Sequence, residues 1–149
     1  MENHWLIKKH RHNIEITTMS SKDFRWKIND ETPFEMDSSE NPYNAVFAWE
    51  KIVPSYGFFF DFVGIEELLP ILLKNSSLQA HKTLLVETGS NVPIIKISTD
   101  YFVQHVIDFI DANQGMGSII ISEDLELLME FTDDYKYYAF SNFSIQEKF

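Results

Sequence analysis

Two arrangements of side chains in this sequence have spacings that chemistry uses. His10 and His12 stand two apart, a spacing that puts both imidazoles on one side of a strand, where they can share a metal ion. Lys8, Lys9 and Arg11 surround them, and cations oppose an ion, so an exposed basic strand end is the competing reading. His105 and Asp108 stand three apart in the clearest helical pattern of the chain, the geometry of a general base oriented by a carboxylate. No local motif sets a serine or threonine nucleophile beside them, and a boundary histidine paired across one turn has the same spacing.

Asp124, with Asp134-Tyr135-Lys136 downstream, fits the acid…acid-x-lysine pattern of magnesium-dependent nucleases. There the carboxylates hold the metal and the lysine steadies the attacking water. Against it, Asp133-Asp134 reads as a hairpin turn, which takes Asp134 off the strand where a ligand belongs. Cysteine is absent, which excludes disulfides, thiolate zinc sites and thiol catalysis. Gly115-Met116-Gly117 lacks the third glycine and the following helix of a phosphate-binding loop. The expectation is therefore no catalytic set, no metal and no cofactor.

Charge is the more informative feature. The 149 residues carry a formal −11, but residues 1–28 hold six basic and three acidic side chains, a segment of +3 that leaves −14 on the remainder. Nine acids fall between Lys96 and Lys136 without a Lys or Arg among them. Asp100, Gln104, Asp108 and Asp111, spaced 4, 4 and 3, share one helical face. Glu126, Glu130, Asp133 and Asp134 lie on the following hairpin. If helix and hairpin adjoin, these eight residues make one surface for a basic partner. An acidic surface that serves only solubility is the plainer alternative. The same charge argues against a nucleic-acid partner.

The elements that would carry these residues follow from periodicity. Residues 5–9, NIEITTMS (13–20) and DFRWKIN (23–29) read as strands, and 30–42 as an acidic loop. Asn41-Pro42 reads as the start of a helix through 53, with Val46, Trp49 and Val53 on one side; a strand is the competing reading, since aromatics are frequent. GFFFDF (57–62) reads as a buried strand. Ile65, Leu68, Leu69, Leu72 and Leu73 have helical spacing, with Pro70 inside. KTLLVET (82–88) and VPIIKIS (92–98) flank a turn triplet. A helix over 99–111, capped by Thr99, buries Phe102, Val103, Val106, Ile107 and Ile110. SIIIS, LELLMEF and YKYYAFS close the chain as strands. In LELLMEF alternation sends Leu125, Leu127, Met129 and Phe131 one way and Glu126, Leu128 and Glu130 the other. The sum is one α+β domain, 1–149, with a mostly antiparallel sheet and two or three helices on one face. No apolar run reaches the roughly 20 residues of a bilayer span, and MENHWLIKKHRH lacks a signal-peptide pattern, so a cytoplasmic protein is expected.

In size, lack of cysteine, aromatic α+β patterning and the acidic C-terminal section ending EFTDDYKYYAFSNF, the chain resembles the small acidic immunity proteins of bacterial toxin–immunity systems, such as those of contact-dependent growth inhibition. The resemblance spans the full chain and rests on its profile, without a diagnostic motif, so no catalytic residue is carried over. It implies a non-enzymatic cytoplasmic inhibitor that binds a cognate toxin, often a nuclease domain. The alternatives are the Asp124/Asp134/Lys136 enzyme and an assembly subunit that pairs its tyrosines with its own copies.

Overall fold

The computed structural model describes residues 4–37, 44–59, 65–89, 92–112, 117–132 and 138–145. The chain folds as α+β, with seven strands in one antiparallel sheet. In chain order they are β1 (Ile14–Ile16), β2 (Tyr56–Phe59), β3 (Thr83–Glu87), β4 (Ile95–Ser98), β5 (Ser118–Ser122), β6 (Leu128–Phe131) and β7 (Tyr138–Ser141). Their order across the sheet is β1-β4-β3-β5-β6-β7-β2. The β3–β4 and β6–β7 hairpins form as their alternation predicts. Of the GFFFDF run, Gly57–Phe59 lie in β2 at a sheet edge beside β7, not in its interior, and residues 60–62 lie outside the described residues.

Among the described residues five α-helices accompany the sheet: α1 (Trp5–His10), α2 (Ser21–Glu31), α3 (Ile65–Lys74), α4 (Thr99–Gln104) and α5 (Val106–Asp111). The leucine spacing of α3 places Leu69, Leu72 and Leu73 in the core, and Pro70 is accommodated within the helix. Three sequence expectations fail here. Residues 5–9 are helical, because Leu6, Ile7 and His10 are buried together at helical offsets and His4 Nδ1 caps the first turn by accepting from Leu6 N at 3.2 Å. Residues 23–29 are helical too. Ser20 Oγ accepts from Asp23 N at 3.1 Å, and Phe24 and Ile28 bury one stripe while Trp26, which a strand would put beside them, is 49% exposed. Residues 44–52 form no α-helix. They run extended, with a Met36–Phe47 bridge and a single 3-10 turn at Trp49–Lys51; Trp49 is buried and Val53 is 91% exposed.

Both faces of the sheet are covered, which corrects the expectation of helices on one side. Leu84, Val86, Ile95, Ile97, Ile120 and Met129 point toward α1, α3, α4 and α5. Alternation turns Leu85, Ile119, Ile121 and Leu128 to the other face, where Phe24 and Ile28 of α2 and Phe47, Trp49 and Ile52 pack on them. At about 25 cal/mol per Å² of apolar surface removed from water, two such layers are the main source of stability. Among the described residues no helix is long and apolar enough to cross a membrane.

Candidate functional site

The eight residues of the anticipated acidic surface have different fates. The single helix drawn through 99–111 breaks at His105, whose backbone (φ −118°, ψ 22°) ends α4 and starts α5, and its cap is Ser98, not Thr99. Asp100, Gln104 and Asp111 are exposed. Asp108 is engaged internally with α1. Glu126 is exposed in the β5–β6 turn. Glu130 is not a surface residue at all: it is 2% exposed, facing the second core. Asp133, Asp134 and Lys136 lie outside the described residues, and with them the nuclease pattern.

The buried Glu130 has its own logic. The backbone N–H groups of Val46 and Phe47 donate to it at 2.6 and 3.2 Å, and Trp49 Nε1 at 2.9 Å. It is the anchor that holds the extended 44–52 segment on β6. Burial pushes its carboxyl up to about 7, against the three donors and the charge of Arg25. Arg25 reaches from α2 to Glu87 of β3 with Nε at 2.9 Å and Nη2 at 2.5 Å, the paired geometry a guanidinium makes with a carboxylate. That hydrogen bond raises the guanidinium further against the effect of its burial.

The two histidine motifs recombine. His10 is 1% exposed and His12 is exposed. The turn from α1 into a 3-10 segment separates them, so they share no face. His10 donates from Nε2 to Asp108 Oδ2 at 2.8 Å and, in that tautomer, accepts the Tyr101 hydroxyl at Nδ1 at 2.5 Å. Lys9 Nζ meets the same Asp108 oxygen at 2.8 Å. Burial works to raise Asp108, but the hydrogen bonds from Lys9 and His10 outweigh it and hold the carboxyl below its ordinary value. His105 packs against Tyr101 and His10, with ring centroids 4.4 and 5.0 Å away. Burial above all lowers its pKa. The partner of Asp108 is therefore His10, ninety-eight residues distant, and not His105. The hydrogen-bond chain clamps α1 onto α4 and α5.

A second cluster stands at one end of the sheet. His81 precedes β3, and its backbone carbonyl accepts the Thr99 hydroxyl. Thr99 N donates to Lys82 O at 2.9 Å and Glu123 N to Thr83 O at 3.0 Å. The start of α4 and the β5–β6 turn thus flank one strand end, and with them Asp100, Glu123, Asp124 and Glu126. The turn is built by Asp124, whose Oδ1 accepts from Ser122 Oγ at 2.6 Å and from Glu126 N at 3.2 Å. Leu125 takes up the left-handed φ of 65° that closes it. Asp124 Oδ2 meets His81 Nδ1 at 2.8 Å, and Glu126 Oε2 lies 4.0 Å from His81 Nε2. Burial pushes Asp124 up, yet the bonds from Ser122, Glu126 N and His81 together hold it low. His81 and Asp124 line an open cleft of about 320 Å³ together with Ala80, Lys82, Thr83 and Glu123. Lys96 Nζ closes on Glu123 at its rim at 2.5 Å.

No protein-family model and no curated protein matches this chain. The site therefore rests on its own geometry. Sequence reading singled out Asp124 and Glu126 but missed His81, because only strand pairing and the Thr99 contact bring that histidine to them.

Proposed function

We propose that the chain is a non-enzymatic, cytoplasmic binding protein of the immunity type, which neutralises a basic protein toxin, a nuclease domain being the best match, by docking the acidic end of its sheet on it. The observation that supports this most is that the start of α4, which carries Asp100, and the β5–β6 turn, which carries Glu123, Asp124 and Glu126, both bond to the start of β3. Carboxylates on a rigid sheet end can occupy a cleft that otherwise receives phosphates, and their field speeds encounter with a basic partner. Asp108 and Glu130 take no part in this surface, since both are committed to internal contacts.

The test is kinetic. A partner captured from the source cell, or encoded by the neighbouring reading frame, is purified and its association with the chain followed at increasing salt. An Asp100→Lys/Glu126→Lys double variant is expected to fold normally and to associate at least about tenfold more slowly, with a shallower salt dependence. Glu50→Lys/Glu67→Lys, which reverses two exposed acids elsewhere, is the control. Equal association rates for the two double variants would remove the acidic sheet end as the docking surface.

A further inference from the structure

Among the described residues two groups bring histidine and carboxylate donor atoms within 4.8 Å of one another: His10 with His105 and Asp108, and His81 with Asp124 and Glu126. They differ in what already occupies their donors. In the first, both ring nitrogens of His10 are engaged and the ammonium of Lys9 sits on Asp108, so a cation would meet a cation. In the second, neither Asp124 nor Glu126 accepts from a lysine or arginine among the described residues, and His81 and Asp124 line an open cleft with Glu126 exposed beside them.

We infer that His81, Asp124 and Glu126 form a binding site for a divalent transition-metal ion, zinc being the best fit. One imidazole and two carboxylates are a donor set that zinc and its neighbours accept, and calcium and magnesium, which want oxygen alone, do not favour. The site is largely prebuilt. The His81 side chain is only 17% exposed, and Asp124 is held through its other oxygen, Oδ1, by Ser122 Oγ and Glu126 N. Such outer hydrogen bonds are what orient metal ligands. An ion about 2.0–2.2 Å from each donor holds those donors roughly 3–3.6 Å apart. The His81–Asp124 pair opens by a few tenths of an ångström to admit it. Glu126, whose Oε2 lies 4.0 Å from the other His81 ring nitrogen, Nε2, and whose side chain is 70% exposed, is the arm that swings round to an ion at Nδ1. The cleft leaves room for water or an exogenous ligand in the remaining positions. The inference goes beyond the docking reading and does not depend on it.

Calorimetric titration of the whole chain with zinc chloride, in the absence of any partner, is the experiment. Saturable binding of one ion is expected, weakened about tenfold or more by His81→Ala and by Glu126→Gln and unchanged by His105→Ala. Glu126→Gln alters an exposed side chain and so keeps the test valid should His81→Ala fail to fold. Visible d–d absorption on adding cobalt(II), absent in Glu126→Gln, would locate the ion at the same residues. Absence of saturable heat overturns the site. So does binding that Glu126→Gln leaves intact, or that only His105→Ala removes. Partner association measured with chelator present reports on the docking surface separately.

Discussion

A carboxyl group taken out of water must be neutral or very well paired, and Glu130 lies close to that boundary. Three N–H donors favour its ionised form, burial disfavours it more, and the balance puts its pKa at about 7. Because the folded value lies above the ordinary 4.5, the native state holds more protons than the unfolded chain between those two values. Stability supplied by this group is full below about pH 4.5 and is lost as pH rises toward about 7, by about 3 kcal/mol at 1.36 kcal/mol per unit. Glu130→Gln, which cannot ionise, is expected to lack that slope. Urea unfolding of both proteins between pH 5 and pH 8 checks it: parallel stability curves would show that Glu130 is ionised throughout. The alternation of LELLMEF correctly set Glu130 opposite Met129. What it could not tell was that the opposite face is also a core, since that depends on Trp49 and the backbone of Val46 and Phe47, over eighty residues away.

At the scale of elements, legibility followed the strength of the local pattern. The leucine spacing of α3, the β3–β4 hairpin and the amphipathic 99–111 segment were readable because each repeats its period several times. Short segments were not. In DFRWKIN, Phe24, Trp26 and Ile28 alternate as a strand would, and Phe24 with Ile28 also satisfies a helix; the cap Ser20 decides between them. Ser20→Ala is therefore expected to cost about 1 kcal/mol, read as a lower urea midpoint at unchanged m-value. Ser20→Asp should restore the loss, because its carboxylate can accept the same Asp23 N–H. Failure of the restoration would mean that packing of Phe24 and Ile28, not the cap, sets the start of α2. The 42–53 segment went wrong for a different reason. Its helical start signal, Asn41-Pro42, is real chemistry, but Glu130 offers the backbone of Val46 and Phe47 a better partner than a helix would. The candidate site failed in the same way, since nothing near Asp124 in sequence announces His81.

Across the whole molecule the charge is divided between two uses. Several basic residues pair with nearby acids: Lys9 with Asp108, Arg25 with Glu87, Lys27 with Glu31 and Lys96 with Glu123. Of the basic side chains in the first 28 residues, Lys9 ties α1 to α5 and Arg25 ties α2 to the sheet, while Lys27 pairs within α2. The excess that makes up −11 is left on exposed positions such as Asp23, Asp30, Glu50, Glu67 and Asp100. Close pairs of this kind are worth about 0–1 kcal/mol each when exposed, and salt weakens them modestly. Repulsion among many like charges acts over distances beyond the roughly 10 Å Debye length at 0.1 M and is screened first. Added salt should thus relieve more than it removes. The melting temperature is expected to rise by a few degrees, on the order of 1 kcal/mol for a domain of this size, as sodium chloride goes from about 10 mM to 0.3 M. Reversing Glu50 and Glu67 to lysine should flatten that rise, because it lowers the net charge without touching a pair. A melting temperature that falls with salt would mean that the internal pairs dominate and that the surface excess costs the fold little. In that case the acidic excess would be neutral to stability.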